Sequence, residues 1–165
     1  MRQYLPRAAD FLQLAENNRQ FEGTMSINEL ERLHDVLNST EGDVSVALKF
    51  GWKYGIRSLT GSVSADLDLI CQRCLNPMKI NIRGDFCLAL IEDTAEIDDL
   101  PNDMEPYVIE GDKQSIDDVV IDELLLSIPL VVKHDDECTD YMSHEDDAVD
   151  TDTYKPFASI KDLLN

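Results

Sequence analysis

The chain has 165 residues, 43% of them hydrophobic, and a formal net charge of −20. This length is enough to bury a core without cross-links, and so acidic a chain is not a general nucleic-acid-binding protein, because phosphate contacts need clustered Lys and Arg. It contains no apolar run as long as a membrane span and does not begin with the apolar segment of a secretory signal, so we expect a cytoplasmic protein.

Two helices are predicted in the first 40 residues. Pro6 precedes a run of helix-forming residues, which predicts a short helix over 6–17. Residues 19–25, interrupted by a glycine, form at most a short strand. Ser26 and Glu29 match a capping box, and apolar residues follow at three- and four-residue steps, which predicts an amphipathic helix over 26–38.

From residue 43 the apolar period changes to two, which predicts strands. The first strand covers 43–52 and ends in a turn at 53–55, and the second runs from Leu59 to Cys71 with apolar residues on one face. A return strand extends from Met78 to about 91. Cys87 has the opposite parity to its apolar neighbours, so we expect it to be a small packed residue.

The remaining chain alternates between acidic and apolar segments. The acidic composition of residues 92–105 predicts a solvated loop, and residues 107–109 are predicted to form a short strand. Residues 115–126 are predicted to form a helix that packs on the sheet and is ended by Pro129. The expected fold is therefore α+β, with an antiparallel sheet over 43–91 covered by helices 26–38 and 115–128; a partly closed barrel is the alternative. We expect one domain over 1–134, an acidic flexible segment over 135–153 and a short C-terminal helix over 154–165.

Four residues form a candidate metal site. Cys71 and Cys74 have the C-x2-C spacing, and His134 and Cys138 supply a second pair four residues apart. Together they could make a Cys3His site, for which zinc is the expected metal; thiols without a metal are the alternative. A redox dithiol is disfavoured, because a strand and not a helix follows the pair.

The order of the motifs resembles one known family. The motifs are Cys71-Gln72-Arg73-Cys74-Leu75, the helix end from Asp122 to Leu130, His134-Asp135 with Cys138, and Pro156-Phe157-Ala158. Together they resemble the YceD family of large ribosomal RNA subunit accumulation proteins. The resemblance implies a role in the synthesis, processing or stability of 23S ribosomal RNA, and no enzymatic activity. The sequence shows no catalytic triad, phosphate loop or dinucleotide motif either.

Two kinds of function remain, and the charge distribution favours one. Residues 49–83 carry six basic and two acidic side chains, a net +4, whereas residues 84–153 carry 23 acidic and two basic side chains, a net −21. The acidic half predicts contact with a basic ribosomal protein or another cationic part of a large-subunit precursor particle. The alternative is a direct RNA-binding or RNA-processing protein with a structural zinc site, in which Arg73, Lys79 and Arg83 contact the phosphates of 23S rRNA. Neither hypothesis involves a membrane or a small-molecule substrate.

Overall fold

The computed structural model describes residues 5–138. The chain divides into two compact units, Met1–His134 and Asp135–Asn165. Within the first unit the elements are β1 (Ala8–Ala9), α1 (Phe11–Glu16), β2 (Gln20–Ser26), two 3₁₀ helices (Ile27–Glu29 and Glu31–Val36), β3 (Asp43–Lys53), β4 (Ile56–Ile70), β5 (Pro77–Ile91), a 3₁₀ helix (Thr94–Asp99), β6 (Glu105–Val108), β7 (Gln114–Ser115) and α2 (Ile116–Ser127). The C-terminal helix predicted over 154–165, and most of the acidic segment predicted over 135–153, lie outside the described residues.

The main sheet has five strands in the order β2-β3-β4-β5-β6. The first four strands pair antiparallel, and β6 joins the far edge parallel to β5. The predicted α+β class is therefore confirmed. Among residues 5–138 the sheet stays open, since β2 and β6 are its edges, so the barrel alternative is wrong.

The apolar residues that alternate along the strands form the core, as predicted. Val46, Leu67 and Leu69 are buried on the face of the sheet that packs against α1 and α2. At the centre of this face the ring of Phe86 lies over Gly61, its partner on β4, where an added Cβ would come within 2.3 Å of the ring. The glycine therefore makes room for an aromatic side chain that helps fill the core.

The predicted helix over 26–38 is wrong as an α-helix. Ser26 ends β2, and the two 3₁₀ helices that follow are separated at Leu30, whose ψ of 71° is not helical. The capping box does not form, because the Ser26 side chain makes no capping hydrogen bond. The backbone N–H of Ile27 instead donates to the carbonyl of Gly42, so a long-range bond replaces the local one.

The first predicted helix is shorter than expected. Asp10 is its N-cap, accepting a hydrogen bond from the backbone N–H of Gln13, and the helix ends at Glu16. The two residues before the cap, Ala8 and Ala9, pair with β7.

The acidic loop after β5 is exposed over residues 92–99, as predicted, but it also contains structure that was not predicted. Its 3₁₀ helix begins with a capping box between Asp93 and Glu96, and Met104 is buried against Ala89 and Ile91 on the reverse face of the sheet. The loop thus covers one end of that face with a small second core.

Helix α2 forms near its predicted position. The Ser115 side chain accepts a hydrogen bond from the N–H of Asp118 at 3.1 Å, and two acids occupy the first turn, where the helix dipole favours them. Pro129 follows its C-terminal end. Within residues 5–138, neither helix has the length and apolarity needed to span a bilayer.

Candidate metal centre

The C-x2-C pair lies at the turn between β4 and β5. Cys71 directly follows β4 and is fully buried, continuing the core-facing side of that strand. Its N–H donates to the carbonyl of Asn76, and its own carbonyl accepts from the N–H of Leu75, both at 2.9 Å. Leu75 has a φ of 62°, a left-handed conformation uncommon for a branched side chain. These bonds fold the six residues into a tight corner.

The segment after α2 returns to this corner. The N–H of Gln72 donates to the carbonyl of Val132 at 2.7 Å, and the guanidinium of Arg73 donates to the carbonyl of His134 at 3.2 Å. The two bonds place the imidazole of His134 next to the thiols, although about 60 residues separate them in the sequence.

The predicted ligand residues are brought together. The Sγ of Cys74 lies 3.5 Å from the Nδ1 of His134, and one ligand atom from each of Cys71, Cys74, His134 and Cys138 lies within 4.8 Å of the others. Neighbouring ligands of a tetrahedral zinc ion are separated by about 3.5–3.8 Å, given Zn–S near 2.3 Å and Zn–N near 2.0 Å. The donor set therefore suits zinc in its chemistry, and the 3.5 Å separation of Cys74 from His134 matches this spacing.

The electrostatics of Cys71 also suit a cation. Burial alone would raise the pKa of its thiol. Hydrogen bonds from the backbone of Cys74, Arg73 and His134 outweigh the effect of burial and lower the pKa to about 5. The N–H of Arg73 lies 3.4 Å from this sulfur. Cys71 is then a buried thiolate at neutral pH, the form in which cysteine binds a metal.

Comparisons with known proteins identify the family. The family described as "Large ribosomal RNA subunit accumulation protein YceD" matches residues 59–164. A protein of that name from Haemophilus influenzae is 31% identical over 143 residues, which cover 86% of this chain and 82% of the relative. This chain belongs to the YceD family. No solved structure matches it.

The three predicted contact cations of this YceD-family chain are not gathered into one patch. Arg73 is at the corner, bonded to His134. Lys79 and Arg83 lie on the exposed face of β5, four residues or about 13 Å apart, and Arg83 is 3.5 Å from Asp85. Arg83 borders a trough of about 870 Å³ lined mostly by small and hydroxyl side chains on the outer face of the sheet. The structure thus supplies no clustered basic surface at these residues.

Sequence reasoning missed a buried acid on α2. Glu123 is 9% exposed, and burial, followed by the charges of Glu105 and Asp122, raises its pKa to about 7. The available signal was its position in the sequence, three and four residues after the apolar Val120 and Val119. Burial against the sheet is therefore the main influence on this acid, and the charges of two exposed neighbours add to it.

Replacing this acid should change how stability depends on pH. Between pH 4.5 and 7 the folded protein keeps a proton that the unfolded chain has lost, so the free energy of unfolding falls as pH rises through that window. Glu123→Gln removes this loss and should be more stable than the wild type at pH 8 by about 1–2 kcal/mol, with little difference at pH 4.5. Urea denaturation at both pH values measures the change, and the exposed Glu110→Gln is the matched control. A constant difference at the two pH values would contradict the assignment.

Proposed function

We propose that this chain is a non-enzymatic, cytoplasmic factor that supports accumulation of 23S ribosomal RNA by binding a basic component of the large-subunit precursor particle. Family membership supports the role in large-subunit RNA. The nature of the contact is supported by the charge, which is −21 over residues 84–153. A surface of this sign attracts basic proteins over about 8 Å at physiological ionic strength and repels phosphate.

The observation that carries the binding mode is the crowding of carboxylates around Glu123. Burial is the main cause of the raised pKa of Glu123, and the negative charges of Glu105 and Asp122 raise it further. A cation from a partner would relieve the repulsion between these charges.

The neighbouring acids are held only by exposed ion pairs. Arg32 lies 2.8 Å from Asp122 and 3.4 Å from Asp118, with all three side chains about half exposed. Exposed pairs of this kind contribute about 0–1 kcal/mol each, so a partner's cations can compete for the same carboxylates. Asp98 and Asp99 in the loop after β5 are also exposed.

The proposal predicts that acids matter more than bases for association. Replacing Asp98, Asp99, Asp146 and Asp147 by Asn or Ser should weaken binding to large-subunit precursors about tenfold, and binding of the wild type should fall steeply with salt. Replacing Arg73, Lys79 and Arg83 by Ala should have a smaller effect. Co-sedimentation with assembling particles at two salt concentrations measures both sets.

The opposite result would favour the second hypothesis. If the basic set abolished association and the acidic set left it unchanged, direct contact of Arg73, Lys79 and Arg83 with RNA would be the better account. The engagement of Arg73 with the His134 carbonyl and of Arg83 with Asp85 supports the protein contact over this alternative.

We also propose that Cys71, Cys74, His134 and Cys138 hold a structural zinc ion. The buried thiolate of Cys71 and the 3.5 Å separation of Cys74 from His134 support it. A metal bound by all four side chains has no open position for a substrate, which suits a structural and not a catalytic role.

A further inference from the structure

Strand β2 is an edge of the main sheet with one unpaired side. The N–H of Phe50 on β3 donates to the carbonyl of Arg19, the residue before β2, at 2.8 Å. Bonded and non-bonded residues alternate along an antiparallel pair, so every second residue after Arg19 bonds to β3. The backbone N–H and C=O groups of the residues between them, Gln20, Glu22 and Thr24, point away from the sheet.

These outward groups are open to solvent. Gln20, Glu22 and Thr24 are exposed, and among residues 5–138 no strand pairs with their side of β2. The strand keeps seven consecutive pairs with β3 and contains no bulge, proline or lysine, the features that block many edge strands. An edge of this kind accepts a further strand, because the added backbone replaces the hydrogen bonds that water makes.

The outer face of the sheet beside this edge has room for long side chains. Two hollows of about 870 and 530 Å³ lie there, and Glu22 borders both of them. Small side chains line most of the larger hollow, among them Thr24, Ala47 and Ser62. The aliphatic part of a Lys or Arg on an added strand can lie over these small groups, with its charge at the Glu22 carboxylate.

The side chains around β2 are acidic on balance. Residues 16–26 and 41–49, which contain β2 and the part of β3 paired with it, carry four acids and two bases. These side chains are Glu16, Glu22, Glu41 and Asp43, with Arg19 and Lys49. In the described part of the chain, Glu22 at the middle of the strand and Asp43 at its end form no ion pair. Both carboxylates are therefore available to a cation of a partner.

We propose that β2 binds an extended basic segment of the partner, which adds to the sheet as a further strand and places a Lys or Arg next to Glu22. The inference rests on the proposed function for the basic nature of the partner. Main-chain hydrogen bonds supply the affinity in this mode of binding, and the acids select the charge of the segment. A second copy of the chain is the less suitable occupant, because two molecules with a net charge of −20 repel each other.

A synthetic peptide tests the pairing directly. A fluorescein-labelled peptide of about nine residues that alternates Lys and Thr is long enough to span β2, and it should bind the full-length protein at low salt in fluorescence anisotropy. The lysines that share the face of Glu22 are also the residues whose N–H groups bond to β2. The same peptide with its lysine backbone nitrogens methylated keeps its charge but lacks these donors, so it should bind at least about tenfold more weakly.

Thr24→Pro tests the same edge from the side of the protein. The N–H of Thr24 points away from β3, so proline removes an outward donor without breaking a bond of the sheet. Thr24→Val is the matched control, because it keeps both the N–H and the branched shape. Thr24→Pro should bind the lysine peptide at least about tenfold more weakly than Thr24→Val does, and thermal unfolding of both variants reports whether the fold is kept.

Glu22→Lys tests the charge without changing the backbone. It should weaken binding of the lysine peptide about tenfold, because it replaces attraction by repulsion at the middle of the strand. Glu110→Lys makes the same change of net charge beyond the opposite edge of the sheet, where Glu110 follows β6, and should have a smaller effect. This comparison and the methylated peptide still decide the question if Thr24→Pro does not fold.

Two results would overturn the inference. One is equal binding of the two peptides, which would mean that charge alone holds them. The other is a wild-type dimer in sedimentation equilibrium that Thr24→Pro converts to a monomer, which would assign the edge to a second copy.

Co-sedimentation with precursor particles separates this inference from the proposed function. If Thr24→Pro and the wild type co-sediment equally, β2 is not the contact and the proposed function stands. If the wild type does not co-sediment at all, the proposed function fails, and the peptide experiments alone decide whether β2 accepts a basic strand.

Discussion

Protein purified without chelator is expected to contain about one equivalent of zinc, and removal of the metal should lower its melting temperature substantially. A ligand that binds only the folded state stabilises it by about 4 kcal/mol when its free concentration is a thousand times its Kd. Cys71→Ser should lose the metal and a similar amount of stability, because it removes the buried thiolate. Elemental analysis and thermal unfolding with and without chelator measure these effects.

Cys87→Ser is the matched control for this experiment. Cys87 lies on the reverse face of the sheet, where its sulfur is 3.4 Å from the Nζ of Lys53, and it is not among the four clustered residues. The variant should keep its zinc. Less than about a tenth of an equivalent in the wild type, together with a melting temperature that chelation does not change, would show that the cluster holds no metal.

Leu124→Ala should be among the most destabilising single substitutions in the chain, lowering the free energy of unfolding by about 2–5 kcal/mol. Leu124 is completely buried where α2 packs on the sheet, and its truncation leaves a cavity that the surrounding strands can only partly fill. Urea denaturation at neutral pH measures the loss.

The same helix supplies the control. Leu126, two residues further along, is 74% exposed, so Leu126→Ala makes the same chemical change without opening a cavity and should alter stability by about 0.5 kcal/mol or less. Equal effects of the two substitutions would mean that α2 is not held on the sheet by the face containing Leu124.

The strands could be predicted from the sequence because alternation is a local signal that the sheet preserves. Val44, Val46, Leu48 and Phe50 are all buried as the pattern indicates. Trp52 has the same parity but is 50% exposed, because parity gives the face of a residue and not whether the core extends that far. The position of Cys71 at the end of the buried face could also be predicted, for the same reason.

The helical errors arose from contacts between distant parts of the chain. Ile27, Leu30 and Leu33 are three residues apart, a spacing that suits a 3₁₀ helix as well as an α-helix, and the bond from Ile27 to Gly42 decided between them. Likewise, Ala8 and Ala9 have high helix propensity but pair with β7, more than 100 residues away. No local pattern contains these partners.

The candidate site was predictable in its ligands but not in its assembly. Spacing identified the two pairs of residues, while the hydrogen bond from Gln72 to Val132 that brings His134 to the corner has no sequence signature.

The continuous pairing of the central strands limits where the chain can change in length. Strands β3 and β4 pair over ten consecutive residues, and β4 and β5 over thirteen, without a bulge. Deleting one residue from the middle of β4 would move Leu67, Leu69 and Cys71 to the opposite face, exposing the core and turning the thiol away from His134. Insertions, tags or fused domains are therefore best placed outside residues 43–91, for example at Gly111, whose exposed turn with a φ of 73° has open space around it.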